Sequence, residues 1–423
     1  MKLIKTSFFS AVITLIRISS GFVAGKVVAL FTGPAGVAII GQFNNFITIV
    51  LTFANGAINS GVIKYTAEFE GDEIQLKKLF STSFKISVYC SVFFGFFLLT
   101  VASFISKLLF QSALYINPIR VLGLTIILYS LNSLLIAILN GLGQIKKYTL
   151  VNAVGSVLGL LFTVILVFYF KIEGALYALV LTQSLVFFVT LVLIVKGGWF
   201  SLSFFRQPFD KGIAIKLSRY SLMAVISSLC MPLAQIVLRN MVIEKLGVDA
   251  AGYWQGMMRI SDGYLMLVTI SLSTYYLPKL SSLSSNQELR TEIFQGYKII
   301  LPAVLFSCSI IYFLRYFIIG LLFTKEFESM GDLFFFQLLG DFFKIAAWLL
   351  AYLMTAKAMT KTFIITEIVF TLTYVLISYN CVDYYKLNGI TIAFALNYFI
   401  YFLVILFVFR KLLFNVKDNV IEG

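Results

Sequence analysis

The amino-acid sequence is a succession of apolar stretches, each about as long as a helix that crosses a lipid bilayer. Such a helix needs about 20 mostly apolar residues, and the 423-residue chain divides into twelve stretches of this kind. The pattern predicts an all-α integral membrane protein with twelve transmembrane helices. The predicted helices lie near residues 8–31, 37–62, 82–105, 119–140, 149–170, 174–195, 215–242, 252–277, 298–323, 332–355, 362–382 and 389–410.

The composition excludes several classes of soluble protein. Hydrophobic residues make up 60% of the chain and charged residues 12%, whereas soluble domains are about 25% charged. The formal charge of +14 therefore indicates membrane orientation and an anion site rather than a nucleic-acid partner. The chain has no histidine, and its four cysteines lie singly in apolar stretches, so we expect no metal and no cofactor.

Lysine and arginine indicate how the chain is oriented. With the N-terminus inside, the cytoplasmic segments hold roughly three times as many of them as the opposite side, as the positive-inside rule requires. Both termini are therefore predicted to be cytoplasmic. The longest predicted loop, 196–216, lies in the middle of the chain. It suggests an N-terminal lobe at 1–198, a cytoplasmic linker at 199–214 and a C-terminal lobe at 215–423.

The two halves resemble each other at a nearly constant offset of 213 to 216 residues. Since each half has an even number of predicted helices, the halves form parallel repeats. Transporters bind their substrate at such a repeat interface and alternate access by moving one half against the other. The matched pairs include Lys26 with Arg239, Gly33 with Gly247, Gly36 with Gly252, Lys64 with Lys279, and Gly174 with Gly389.

Polar residues recur at helical spacing along a few of the predicted helices. Because a lipid-facing surface is apolar, such stripes mark faces turned toward protein or water, and we expect them to line a polar cavity between the halves. The alternative is hydrogen bonding between packed helices. The candidates for cavity lining and glycan binding are Gln42, Asn45, Thr48, Asn55, Asn59, Gln235, Gln255 and Trp348.

Basic residues at membrane depth exceed the acidic ones near them. Arg17 is the deepest and has no obvious acidic partner, whereas Lys26 and Arg239 are also consistent with snorkelling to the interface. An excess of positive charge predicts an anionic ligand, and arginine favours phosphate because its planar fork binds two oxygens. The candidates for binding a phosphate-bearing ligand, which the resemblance described below implies to be a diphosphate, are Arg17, Lys26, Arg239, Arg259 and Lys344.

Three carboxylates lie well inside the predicted helices, away from their ends. Asp262 is three residues after Arg259, and Asp341 is three residues before Lys344. Each pair is therefore as consistent with a structural salt bridge as with a role in substrate binding. Glu367 is a possible proton site or a partner for a nearby polar group. Asp262, Asp341 and Glu367 are therefore candidates for coupling or gating.

Several short motifs resemble one known family. They include Gly33-Pro34-Ala35-Gly36, Asn59-Ser60-Gly61, Ile260-Ser261-Asp262-Gly263-Tyr264, Tyr276-Leu277-Pro278 and Gln337-Leu338-Leu339-Gly340-Asp341. The chain resembles the Wzx-type lipid-linked oligosaccharide flippases, of the O-antigen and enterobacterial common antigen lipid III kind, within the multidrug/oligosaccharidyl-lipid/polysaccharide exporter superfamily. The likeness runs over essentially the whole length.

The resemblance implies a V-shaped pair of six-helix lobes around a central polar, cationic cavity. The implied substrate is an undecaprenyl-diphosphate-linked oligosaccharide, moved from the cytoplasmic to the periplasmic leaflet of the inner membrane. Membrane lipids, a glycan polymerase and a chain-length regulator are the expected partners, and a monomer is the expected state. The alternative is a cation-coupled exporter of small molecules on the same fold.

Overall fold

The computed structural model describes the backbone of residues 2–196, 202–357 and 359–414, and their side chains except 2–15, 202–203, 219–221, 223 and 274. This part of the chain is helical and contains no strand. The helices are α1 Lys2–Ala54, α2 Asn59–Glu68, α3 Glu73–Phe110, α4 Ile116–Gly141, α5 Ile145–Val195, α6 Lys211–Leu246, α7 Val248–Ser271, α8 Leu277–Ser282, α9 Asn286–Phe313, α10 Arg315–Leu322, α11 Phe334–Ala356, α12 Thr360–Tyr385, α13 Asn388–Val408 and α14 Arg410–Phe414.

Nine helices within the described residues are long and apolar enough to cross a membrane. The prediction of an all-α membrane protein is confirmed to this extent. Large side chains such as Phe93, Phe96 and Phe104 on α3 are exposed, which is the arrangement expected of a surface that faces lipid rather than water.

The helix ends differ from the predicted spans where polar turns extend the helices. Helix α9 begins at Asn286, well before the predicted residue 298, with the Ser285 hydroxyl accepting from the Gln287 amide. Helix α3 begins at Glu73, where Asp72 caps the amide of Gln75. Hydropathy detects only the apolar middle of a helix, whereas capping side chains fix its true first turn.

The chain forms two compact units, which are described separately. Unit 1 is Met1–Ile236 and unit 2 is Val237–Gly423. The division lies inside α6, whereas the sequence suggested a division in the loop before that helix. The assignment of lobes and linker stays a prediction.

Each unit contains a left-handed residue between its first helical segments. In unit 1, Gly33 has φ 61° and ψ −167° and interrupts α1 just before Pro34. In unit 2, Gly247 has φ 90° and ψ 164° and precedes α7. Glycine tolerates this conformation because it has no Cβ.

A second pair of turns has nearly the same backbone conformation in both units. Lys171 interrupts α5 with φ 49° and ψ −122°, and Lys386 separates α12 from α13 with φ 52° and ψ −135°. A glycine follows each turn by three residues and lies against the backbone of the preceding helical segment. A Cβ on Gly174 would lie 1.9 Å from the carbonyl oxygen of Leu166, and one on Gly389 would lie 2.2 Å from that of Cys381.

The second half of α1 ends at Ala54, and the chain bends before α2. Gly56 and Ala57 both have positive φ, of 62° and 53°. Two pairs that end in glycine, Asn55-Gly56 and Ser60-Gly61, are candidates in the sequence for a local break in the helix. The structure has the break at the first pair, whereas the second pair lies within α2.

Small residues bring helices of unit 1 together. A Cβ on Gly95 of α3 would lie 2.7 Å from the carbonyl oxygen of Gly123 on α4, and one on Gly123 would lie 2.9 Å from that of Gly95. Such close approach is how membrane helices gain packing energy without a hydrophobic driving force. The apolar cluster beside this contact includes Phe43, Leu98, Ile119 and Ile126.

Candidate functional site

Unit 1 contains a cavity of about 350 Å³ with an uncharged polar lining. Its walls come from the second half of α1, from α2 and α4, and from α6. Three of the predicted residues, Thr48, Asn55 and Asn59, lie in this lining. The lining residues are Asn44, Ile47, Thr48, Leu51, Thr52, Asn55, Ala57, Asn59, Ser60, Tyr129, Ser133, Ala224, Ser227 and Ser228.

A second cavity of unit 1, about 440 Å³, is lined by Arg17. The Arg17 side chain is exposed, so its guanidinium is available to a ligand. The two cavities share Asn44, Ile47 and Tyr129. The remaining lining residues are Ser20, Gly21, Ala24, Gly155, Ser156, Gly159, Leu160, Thr163, Ala178, Leu179, Thr182 and Gln183.

Three predicted lining residues of unit 1 instead hold its helices together. The Gln42 amide nitrogen donates to the carbonyl oxygens of Leu109 and Ile236, at 3.3 and 3.4 Å. The Asn45 amide nitrogen donates to the Gln235 side chain at 2.8 Å. Gln42 is 1% exposed and lines neither cavity. For these residues the structure shows the hydrogen bonding between helices that the sequence left as the alternative.

Lys26 of α1 is half-buried and lies outside the lining of both cavities. Its predicted contact with a diphosphate therefore stays a prediction.

The Arg239 side chain of unit 2 is fully buried. Its guanidinium donates to the Gln255 side-chain oxygen and lies 5.5 Å from the centre of the Trp254 ring. A cation enclosed in this way cannot reach a ligand in this conformation. Snorkelling to the interface, the alternative for this residue, is not what the structure shows, and its role in binding stays a prediction.

Asp341 is buried at the centre of a hydrogen-bond network between α7 and α11. The hydroxyls of Ser261 and Tyr264 both donate to its Oδ2 at 2.6 Å, and Gln337 donates to Oδ1 at 3.3 Å. The Lys344 ammonium lies over the ring of Trp348, 4.9 Å from its centre. Hydroxyl and amide groups therefore contact the Asp341 carboxylate, in place of the salt bridge with Lys344 that was one of the two alternatives.

Lys344 nevertheless lies within electrostatic reach of three carboxylates, those of Asp262, Asp341 and Glu367. Asp262 is exposed and Glu367 is half-buried, as is Arg259. The three predicted coupling carboxylates are therefore all influenced by the charge of one lysine. The sequence predicted an excess of positive charge at membrane depth, but around Lys344 the acidic side chains outnumber this lysine.

Sequence reasoning missed several lining residues of unit 1. Tyr129 and Gln183 were overlooked because α4 and α5 carry isolated polar residues rather than stripes. Asn44 lies one position from the stripe of α1. A signal was available in the pairs Asn132 with Ser133 and Thr182 with Gln183, which put amides and hydroxyls at membrane depth.

Comparison with known proteins identifies the family. The family described as polysaccharide biosynthesis protein matches residues 11–332. The chain belongs to this family. It is also 34% identical over 368 residues to the lipid III flippase of Escherichia coli K12, covering 87% of this chain and 88% of that one, and equally so to that of Shigella flexneri. These relatives confirm the resemblance expected from the motifs.

Solved structures with the same fold are transporters of the exporter superfamily. An inward-facing multidrug resistance MATE family transporter of the MOP superfamily superposes with a TM-score of 0.79 at 17% identity, covering 96% of this chain and 100% of that one. An outward-facing MATE family transporter superposes with a TM-score of 0.72 at 16% identity, covering 95% and 93%. Together with the family match, the fold indicates a multi-pass membrane transporter rather than an enzyme.

Proposed function

We propose that this chain is a flippase for undecaprenyl-diphosphate-linked oligosaccharide repeat units, of the O-antigen or enterobacterial common antigen lipid III kind. It moves them from the cytoplasmic to the periplasmic leaflet of the inner membrane. The observation that carries the proposal is the 34% identity to two lipid III flippases along most of both chains. The polar cavities of unit 1 support it, since their amides and hydroxyls suit a carbohydrate.

The proposal includes twelve crossings in two six-helix repeats that form a V-shaped bundle. Helices α1 and α5 are 53 and 51 residues long, and each has a non-helical residue inside, so we count each as two crossings. Helix α7, with 24 residues, is counted as another. The matched turns at Lys171 and Lys386 support the repeat. Cytoplasmic termini, a monomeric state, and a glycan polymerase and chain-length regulator as partners belong to the same proposal.

Arg17 is the proposed diphosphate ligand with the most support. It is exposed in a polar cavity of unit 1, and a guanidinium binds phosphate oxygens in pairs. Lys26, Arg239, Arg259 and Lys344 contribute to the positive field and contact the substrate only in other conformations. Thr48, Asn55 and Asn59 bind the glycan.

Transport on this proposal involves no covalent step. The polyprenyl chain stays in the lipid while the protein exposes the head group first to one side and then to the other. A substrate that crosses with about two uncompensated negative charges gains about 4–5 kcal/mol per 100 mV of inside-negative potential. Protons or sodium at Asp262, Asp341 or Glu367 supply the alternative driving force.

A cation-coupled exporter of small molecules is the second candidate. The three carboxylates within electrostatic reach of Lys344 favour it, because carboxylates at membrane depth take part in proton relays of pumps and transporters. The amide- and hydroxyl-lined cavities of unit 1 favour the flippase.

Complementation tests the proposal. A flippase-null enteric strain carrying this chain is expected to display surface glycan, and the same strain with a well-expressed Arg17→Ala variant is expected to lose it. The Asp262→Ala variant, measured in the same assay, tests whether this carboxylate couples transport to protons or sodium. Full display with Arg17→Ala contradicts the proposed diphosphate contact but not the flippase. Absence of rescue in every glycan system tried, with active export of cationic compounds, favours the second candidate.

A further inference from the structure

The two cavities of unit 1 differ in the charge of their linings. The smaller one is lined by amides, hydroxyls and apolar groups, with no charged residue among its lining residues. The larger one has the same kind of polar groups together with Arg17. Both have Asn44, Ile47 and Tyr129 in their walls. We call the smaller cavity the neutral compartment and the larger one the Arg17 compartment.

A hydrogen-bond chain orients one amide in the Arg17 compartment. The Thr190 hydroxyl donates to Asn132 Oδ1 at 2.7 Å, which turns the amide nitrogen of Asn132 toward Gln183. That nitrogen donates to Gln183 Oε1 at 3.4 Å. Because the oxygen of Gln183 is thus engaged as an acceptor, its NH₂ group is left to donate to a ligand in the compartment that it lines.

This arrangement places two kinds of donor beside one space. The Arg17 guanidinium supplies positive charge, and the Gln183 amide supplies a neutral donor whose direction is set from behind. The guanidinium and the Gln183 NH₂ group both suit phosphate oxygens, which carry several lone pairs and negative charge. The Arg17 compartment is therefore built to hold a phosphate group.

The neutral compartment is suited to a different chemical group. The Thr48 hydroxyl donates to the Asn44 carbonyl oxygen at 2.9 Å, and the Thr52 hydroxyl to that of Thr48 at 2.8 Å, so both oxygens still have lone pairs that accept from a ligand. The Asn59 amide donates to Ser133 at 2.8 Å. A phosphate here would lose its hydration without gaining a cation, at a high cost in free energy. Sugar hydroxyls, which both donate and accept, match such a lining.

We propose that the two adjoining compartments bind the two sides of one glycosyl-phosphate linkage. The phosphate next to the sugar lies beside Arg17 and Gln183, and the first sugar ring lies in the neutral compartment against Tyr129. Each compartment has the volume of a small-molecule site, about 300–1,000 Å³. The shared residues Asn44 and Tyr129 lie where the linkage passes from one compartment to the other. This inference rests on the proposed function, and it assigns Gln183, Asn44 and Tyr129 to substrate recognition.

Binding to the purified full-length chain in lipid nanodiscs tests the inference with two probes. The first is geranylgeranyl diphosphate, and the second is the same lipid diphosphate carrying one N-acetylglucosamine. The wild type is expected to bind both, and the sugar-bearing probe more tightly. Gln183→Leu is expected to weaken both probes by the same factor, about tenfold, since it removes a hydrogen bond to a charged group.

The double variant Thr48→Val with Thr52→Val separates the compartments. It is expected to weaken the sugar-bearing probe several-fold and to leave the bare diphosphate within about twofold. Thr100→Val is the matched control, because the Thr100 hydroxyl also donates to carbonyls of its own helix but lies outside both linings. This control is expected to leave both affinities unchanged.

The possible results distinguish a failure of the compartment assignment from a failure of the proposed flippase function. If the double variant weakens both probes equally or neither of them, the assignment of the compartments is wrong while the flippase proposal stands. Equal wild-type affinity for the two probes has the same meaning. If the wild type binds neither probe, both the inference and the proposed function fail.

Discussion

Unit 1 and unit 2 both carry basic residues on long apolar helices but surround them differently. Arg17 of unit 1 is exposed in a cavity, whereas Arg239 of unit 2 is fully buried against Trp254 and Gln255. Lys26, which the sequence pairs with Arg239, is half-buried. A repeated residue type therefore does not imply a repeated environment, because the packing around each position decides what the charge contacts.

The backbone turns show the opposite behaviour. Gly33 and Gly247 both have positive φ, and Lys171 and Lys386 have almost the same φ and ψ. Turn geometry at helix ends leaves few conformations, whereas side chains on the helix faces are free to diverge. The comparison suggests that the units share a chain path and differ in chemistry.

The largest expected effect tests the shared chain path. Gly174→Ala and Gly389→Ala each place a Cβ about 2 Å from a backbone carbonyl oxygen, closer than any real contact. Each is expected to lower the free energy of unfolding by about 3 kcal/mol or more, since overpacking against backbone cannot relax cheaply. Thermal unfolding of the purified variants in detergent measures this loss of stability.

Gly155→Ala is the control, because its Cβ would make an ordinary contact with Val186 at 3.4 Å. If either Gly174→Ala or Gly389→Ala behaves like this control, the two turns are not equivalent.

The next effect compares two carboxylates of unit 2. Asp341→Ala leaves the hydroxyls of Ser261 and Tyr264 without their acceptor, so it is expected to cost about 2–3 kcal/mol of stability. Asp262→Ala changes an exposed side chain and is expected to stay within about 0.5 kcal/mol. Melting temperatures of the two variants provide the comparison. Equal destabilisation contradicts the difference in burial on which the comparison rests.

A third prediction separates the two arginines. Arg239→Met removes the donor to Gln255 and is expected to cost about 2 kcal/mol of stability. Arg17→Met is expected to leave the melting temperature unchanged and to abolish glycan delivery, since Arg17 is exposed in a cavity. Stability and complementation are measured on both variants. A stable Arg239→Met or an unstable Arg17→Met reverses the comparison.

The smallest effect concerns the beginning of α6. The Asp210 carboxylate accepts from the Ile213 amide at 3.0 Å, and its own amide donates to Thr82 at 3.1 Å. The amide of Ile213, with Lys78 nearby, lowers the pKa of Asp210 from its ordinary value. Asp210→Ala is expected to cost about 1 kcal/mol, as for other helix caps.

The stabilisation from ionised Asp210 is present above the ordinary pKa of an aspartate and is lost as the pH falls through the lowered value. Asp210→Asn keeps a capping oxygen and removes the titration, so it is the control. The difference in melting temperature between the wild type and Asp210→Asn is expected to shrink on acidification. A difference that grows toward low pH contradicts the assigned role.

The fold was predictable because bilayer thickness restricts helix length. The long apolar helices, the breaks at Gly33 and near Lys171, and the bend at Gly56 all follow from residue types whose preferences are local. The family was predictable from short motifs along the chain, and the relatives confirm it. These features need only the chemistry of neighbouring residues.

The sequence alone determined the fold class, the family and the polar faces, because apolar length and helical spacing are properties of the chain itself. Tertiary structure decided which polar residues meet a cavity and which are used for packing. Thr48 lines a cavity while Asn45 and Gln42 tie helices together, although all three belong to one predicted stripe. A helix face is wide enough for both roles, and only the neighbouring helices determine which side chains they cover. Gln183 became a candidate for the same reason, since Thr190 and Asn132 orient it through contacts that no local pattern specifies.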